Sequence, residues 1–316
     1  MRISEYFNLE VDQRSLEFVD VNTKKDVELY IDPSWIHIEE DEWCRAASNT
    51  ITGFFEHILE LYENGQIERA RELFDYAHEP NEICFGMSAN NPEGTGASAA
   101  MLSRVFDRIV SNEMIEHGFI RRLEDVNVFI EDFGQDRLSD LVANIIRKHL
   151  VDFTREQCLV NKIELGNERK LLGHFWDNNI KNWVECNERP LVVDGKDILL
   201  VPKKVVVKNY RYTASQYCTH HVLVRRAEQH QLNGTHLVHQ ETKRDGTVVS
   251  KVFKKEIREE EIKNSGLNEK QYVLQETLRH PELLEDFRAS IEGRLRSPAT
   301  TNRLSDEQFI IAINSL

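Results

Sequence analysis

Asp136, Asp140, Asn144 and Lys148 stand four residues apart, so on a helix they form one polar stripe opposite an apolar face. Glu131 and Asp132 come just before them, at the end of Val126 to Glu131 (VNVFIE), which reads as a strand. Carboxylates that converge where a strand ends and a helix starts can hold Mg²⁺ or Mn²⁺. These ions prefer oxygen ligands and keep waters for a phosphodiester substrate. Glu131, Asp136 and Asp140 are therefore the candidate metal ligands, with Asp136 and Asp140 as the catalytic acids. The competing structural reading makes Asp136 the helix N-cap, puts Asp140 where the helix dipole favours it, and turns the stripe to water.

A phosphodiester site also needs cations. The strand Ile198 to Val207 supplies Lys203, the candidate catalytic lysine, and Lys204; Lys254 and Lys255 join Lys204 as phosphate contacts. A metal-dependent nuclease of the restriction-endonuclease-like class places acid-x-Lys on such a strand. This chain departs from that pattern, because Val201 and Pro202 stand two positions before the two lysines. Asp194-Gly195-Lys196 matches on paper, but its Asp-Gly pair belongs to a hairpin turn. The loop Gly86 to Ser98 offers a second anion site. Its Gly94, Gly96 and Ser98 lead into a helix whose amides and dipole can receive a phosphate. There is no GxxxxGK[ST], so P-loop nucleotide hydrolysis is not supported. Cys218, His220, His221, His230, His236 and His239 cluster in sequence, but CxH with HxxH is incomplete for tetrahedral zinc, and helix or loop histidines are the simpler reading.

Charge is distributed unevenly. The chain has 316 residues, with 40 Lys+Arg against 54 Asp+Glu. Residues 1 to 100 hold 21 acidic and 7 basic side chains, whereas residues 201 to 258 hold 12 basic and four acidic ones. That asymmetry predicts either a basic surface that meets nucleic-acid phosphates or two halves that attract each other or a neighbour. Five cysteines without a CxxC pair read as reduced thiols. With neither a long apolar run nor a signal-like N-terminus, a cytoplasmic location and no membrane partner are expected.

The elements that must position these groups are legible in part. Leu16 to Val21 and Val27 to Ile31 read as strands, the second stopped at Asp32-Pro33. Trp43 to Tyr62 and Gln66 to Tyr76 read as a helical hairpin ended by Gly65, and about Ser98 to Ile115 as a further helix. Asp136 to Phe153 is the most periodic helix; beyond Cys158 the pattern weakens, and a domain boundary is expected between Trp183 and Pro190. Asp194-Gly195 and Asp245-Gly246 each predict a two-residue hairpin. Ser215 to Leu232, Gln271 to Arg294 broken at Pro281, and Ser305 to Ile313 with Ser305 and Gln308 in capping-box spacing read as helices.

The segments ISEYF, LEFVDV, Asp26 to Pro33, GMSANNPEGTG, DRLSDLVANII and TREQC resemble an uncharacterised bacterial family associated with mobile elements and anti-phage defence regions. The resemblance covers mainly residues 1 to 160, implies a bacterial defence setting and transfers no catalytic residue. The expected fold is α/β of the mixed α+β kind, with a helix-rich acidic part over residues 1–188 that holds a short sheet. A basic hairpin-containing part with a helical tail follows over 189–316, with one continuous domain as the alternative. The expected function is metal-dependent, nuclease-like action on phosphodiesters, or nucleic-acid binding through residues 201 to 258. The alternative is a non-enzymatic interaction subunit of a defence complex, engaging a partner protein or a second copy of itself.

Overall fold

Hydrophobic spacing and caps decide where the helices of this chain begin. The computed structural model describes residues 1–76, 78–86, 99–111, 113–131, 133–297 and 303–314. After α1 (Ile3–Tyr6) come β1 (Tyr30–Ile31), α2 (Pro33–Ile38), the 22-residue α3 (Glu42–Glu63) and α4 (Ile67–Glu72). The helical part continues through α5 (Ala99–Ser111), α6 (Leu123–Phe129), α7 (Gln135–Ile145) and α8 (Arg147–Val160). Two hairpins follow, β2 (Lys170–Asp177) with β3 (Asn182–Glu188) and β4 (Leu191–Val193) with β5 (Lys196–Ile198), and then β6 (Val206–Val207). Next, α9 (Ala214–Tyr217) runs through a π-helical turn into α10 (Leu223–Asn233), and the hairpin β7 (His239–Thr242) with β8 (Val248–Lys251) comes after it. The chain closes with α11 (Lys254–Ile257), α12 (Glu269–Arg279), α13 (Glu282–Arg296) and α14 (Asp306–Asn314). This is a mixed α+β architecture, helix-rich with short antiparallel pairings.

Buried apolar residues from Ile3 to Ile313 form one continuous cluster. Helix α3 starts where Asp41 accepts from the Cys44 amide at 3.1 Å, and it packs against α2, α4, α6, α7, α8 and β2. Strand β1 pairs antiparallel with β6, Tyr30 opposite Val207, so residues on either side of position 188 share a ladder. Helix α14 begins at the expected cap, where Ser305 Oγ accepts from the Gln308 amide, and α12 begins at a cap not anticipated, where Asn268 Oδ1 accepts from the Gln271 amide. No helix among the described residues is long and apolar enough to cross a membrane.

Several expected elements differ. Val126 to Glu131 is not a strand: α6 covers Leu123–Phe129, and Glu131 follows a helix. All seven α6 residues are buried, so the helix has no solvent face to impose a 3.6-residue period on its sequence. The single helix expected over Asp136 to Phe153 is two, separated at Ile146, which caps α7 and precedes α8. Of the two N-terminal strands only Tyr30–Ile31 is regular. Phe18 and Val27 make isolated bridges, Phe18 to Pro202 and Val27 in parallel to Phe85. The weakly patterned stretch beyond Cys158 holds the β2–β3 hairpin.

Candidate functional site

Helix α7 carries the two central candidates. Its N-cap is Gly134, which offers no side chain, so Asp136 in the first turn is not the cap. The stripe does not face water either. Asp140 is 6% exposed and Asn144 is fully buried, while Lys148 lies beyond the Ile146 break and pairs with Asp152. Asn144 Nδ2 donates to the His78 carbonyl at 2.5 Å, and its Oδ1 accepts from Arg147 at 2.8 Å. The buried Arg147 also donates to the Leu172 carbonyl at 2.8 Å, in a seat that stays open because Gly173 lacks a Cβ. A Cβ there would come within 2.9 Å of the guanidinium, and the backbone already holds φ +94°.

These bonds bring distant acids together. The Asn144 link to His78 fixes the neighbouring Glu79. Val27 donates to Cys84 O and accepts from the Gly86 amide, both at 3.0 Å, which fixes the neighbouring Asp26. Ser139 Oγ accepts from the Ile31 amide at 2.9 Å and holds β1, with Tyr30, against α7. Burial pushes the Asp140 carboxyl up to about 8, and the negative charges of Asp136, Glu79 and Asp26 add to the shift. Burial also raises Asp136 and Glu79, and Asp26 contributes to both. The buried Tyr30 hydroxyl makes no hydrogen bond among the described residues, and burial with the field of Asp136 pushes it up to about 12. A Cβ on Gly86 would lie 3.8 Å from Asp136 Oδ1, so the chain enters the segment 87–98 from beside this cluster.

The other candidates lie elsewhere. Glu131 lines a separate cleft with Asn127, Gly134, Ser215, Asn268 and Lys270. Lys203 Nζ donates to Asp306 at 2.9 Å and to the carbonyls of Gln13 and Arg14. Lys204 pairs with Asp41 at 2.7 Å above the Trp43 ring, Lys254 donates to Thr219 O, and Lys255 is exposed. Lys203 and Lys204 therefore meet acids from other elements, not Asp136 and Asp140. Asp132, Gly94, Gly96 and Ser98 lie outside the described residues. Cys218 is buried in the π-helical turn, while His230, His236 and His239 each face one glutamate: Glu261, Glu260 and Glu256. Among the described residues no three of His, Cys, Asp or Glu are arranged to hold an ion.

Tyr30, Glu79 and Asp26 escape sequence reasoning because they lie 50 to 110 residues from α7, and no local spacing joins them to it. What brings them in is the buried amide of Asn144 and a single parallel bridge, both tertiary.

No curated protein and no solved structure matches the chain. A family model described as "Domain of unknown function (DUF8370)" matches residues 8–213, well over half of the chain. The match takes in β1, α7 and all four clustered acids, and the chain belongs to the DUF8370 family.

Proposed function

We propose that the chain acts on nucleic-acid phosphodiesters with Mg²⁺ or Mn²⁺ held by Asp136 and Asp140, in the bacterial anti-phage setting that its resemblance implies. The observation that carries this is Asp140. It is a carboxyl 6% exposed, without a hydrogen bond to its side chain among the described residues, and it is pushed up to about 8 beside three further acids. Asp136 and Asp140, once deprotonated, would hold a divalent ion whose charge offsets their repulsion and which would supply Lewis-acid activation of a water. Two carboxylates plus waters suffice for Mg²⁺, which takes few protein ligands when a phosphate completes the shell. Glu79 and Asp26 add negative charge around the pair, and the Tyr30 hydroxyl, which feels the charge of Asp136, would be available to a ligated water.

The test is thermal unfolding with and without Mn²⁺ at pH 8. At a hundredfold excess over Kd, binding contributes about 2.7 kcal/mol, a rise of several degrees. Asp136→Ala with Asp140→Ala is expected to abolish both the rise and Mn²⁺-dependent cleavage of single- and double-stranded DNA. A wild-type melting temperature that ignores Mn²⁺ ends this reading.

A second reading, an interaction subunit without catalysis, is favoured by one observation: the basic segment is partly matched by acids within the chain. Lys203, Lys204, Arg226, Lys251 and Arg258 pair with carboxylates of the same chain, while Lys208, Arg211, Lys255 and, at the β7–β8 turn, Lys243 and Arg244 are exposed. If neutralising Lys243, Arg244 and Lys255 leaves DNA retention and its salt slope unchanged, this second reading gains over nucleic-acid contact through the segment.

A further inference from the structure

A cavity of about 210 Å³ opens between α2, α3 and the start of α6, and none of the α7 acids lines it. Its walls are apolar, with Pro33, Ile51, Phe55 and Leu123, and its polar groups include Glu124, His37 and Ser48. It is smaller than the roughly 300–1,000 Å³ of drug-sized sites, so one flat ring system fills it.

Glu124 is the group that needs a partner. At the start of α6 the capping work falls to Asp125, whose carboxylate accepts from the amides of Arg121 and Arg122 at 2.9 and 3.1 Å. Glu124, one residue earlier, is only 6% exposed, and no other side chain bonds its carboxyl among the described residues; its own backbone amide is its one hydrogen-bond contact. A buried carboxyl met only by its own amide is costly, and in a cavity wall it marks a place where a ligand can supply the missing donors. Burial pushes Glu124 up to about 7, Arg122 opposes that, and Asp125 and Asp32 add to it; ionisation at neutral pH therefore costs little once donors arrive.

The charge of the ligand follows from the rim. Arg121 already meets Glu285 at 3.0 Å and Arg122 meets Glu292 at 2.9 Å, so neither is an unmatched cation waiting for an anion. His37 is pushed down by burial and by Arg122, and its Nδ1 lies 3.4 Å from Ser48 Oγ. Two arginines near the mouth also disfavour a cationic guanidinium. What remains is a neutral flat molecule with N–H donors.

We infer that this cavity binds a guanine-type base, whose two adjacent N–H donors meet the Glu124 carboxylate while its ring lies against Ile51, Phe55 and Leu123. Two parallel N–H bonds to one carboxylate form the charge-assisted bidentate pairing that a single buried glutamate with no side-chain partner can offer. This site is independent of the proposed metal chemistry.

The experiment is isothermal titration of the full chain, without metal, with guanosine, guanosine 5′-monophosphate, adenosine, agmatine and inorganic phosphate. Guanosine and its monophosphate are expected to bind with similar Kd, and adenosine and agmatine at least tenfold more weakly. Glu124→Gln, which presents an amide N–H to one of the donors, is expected to weaken guanosine at least tenfold. Ser48→Phe, at a half-buried mouth position, is expected to remove binding while the melting temperature stays within a few degrees. The proposal is overturned if guanosine does not bind, if Glu124→Gln binds it as wild type does, or if only the monophosphate binds and inorganic phosphate competes. Because no step uses Mn²⁺, failure here leaves the α7 reading standing, and failure there leaves this one standing.

Discussion

Asp140 shows how burial turns a side chain into a sensor of its neighbours. Its carboxyl moves from 3.8 to about 8, first through loss of water and then through Asp136, Glu79 and Asp26. A carboxyl raised in the folded state contributes its full stability below the unfolded value and loses it as pH climbs to the folded value. Between about pH 4 and pH 8, then, Asp140 makes the fold progressively weaker, and Asp32, raised to about 6, and Glu124, raised to about 7, add slopes of the same sign in narrower windows. Each pKa unit corresponds to roughly 1.4 kcal/mol. Asp140→Asn, which cannot ionise, is expected to match the wild type near pH 4 and to exceed it by up to a few kcal/mol at pH 8. Urea unfolding across that range checks this, and a variant that keeps the wild-type slope would assign the slope to other groups. The same proton predicts that wild-type Mn²⁺ affinity rises about tenfold per pH unit below pH 8, because binding must displace it.

At the scale of elements, the short helix α6 is held by its first turn. Asp125, fully buried, accepts from two backbone amides, from the Tyr212 hydroxyl at 2.6 Å and from Arg288 of α13 at 2.8 Å. Arg288 also donates to the Phe119 carbonyl at 2.9 Å, so one guanidinium joins α13 to the approach of α6. Removing one member of a buried pair leaves the other charge unmatched, at a cost of about 3–5 kcal/mol. Arg288→Met is expected to lose stability in that range, and Asp125→Asn in the same chain to recover part of it; chemical unfolding of the two single variants and the double variant reads the coupling. This element also shows where the sequence was readable. Its β-branched alternation, Val126, Val128 and Ile130, spells a strand, yet burial on every side removes the contrast that would spell a helix. The Asp140–Asn144 stripe misleads for a related reason: polar groups usually mark a wet face, but these are buried and Asn144 bonds His78 and Arg147. Where the signal is local chemistry the reading holds in part. Asp194-Gly195 turns β4 into β5 as the expected two-residue loop with both residues at positive φ. Asp245-Gly246 instead lies in a longer β7–β8 turn, where the Lys243 amide donates to the Thr247 carbonyl and Gly246 but not Asp245 has positive φ, so the two-residue expectation fails there. The β2–β3 hairpin has no such dipeptide, turning instead through Asn178 to Lys181, and its cross-strand Trp176 and Trp183 pair is visible only after folding. The acids of the α7 cluster were half readable: Asp136 and Asp140 by spacing, Asp26 and Glu79 not at all.

At the scale of the whole molecule, the opposed charges of the sequence are in part matched within one chain. The acidic run Glu39-Glu40-Asp41 meets Arg303, Arg296 and Lys204, and Lys203 meets Asp306. Exposed pairs of this kind add little each, about 0–1 kcal/mol, so they do not by themselves hold the two ends together. The apolar and buried polar contacts do. Phe129 packs edge-on to Tyr217, Tyr212 and Tyr217 stack on Phe287, and Lys270 donates to the carbonyls of Ile130 and Phe133. All but the Tyr217–Phe287 pair cross residue 213, where the family match ends. A chain stopped there keeps the acids of α7 and the Glu124 carboxyl but strips α6 of the helices that bury it, and leaves Asp125 without its guanidinium. Such a chain is expected to lose cooperative thermal unfolding, or to melt at least 15 °C lower, and to bind a hydrophobic dye that the full chain excludes. Calorimetry and dye fluorescence on both chains decide it. If residues 1–213 melt cooperatively within a few degrees of the full chain, then α9 to α14 are an appendage to the family's fold, and the Arg288 link is an ornament of this protein, not part of what makes α6 stand.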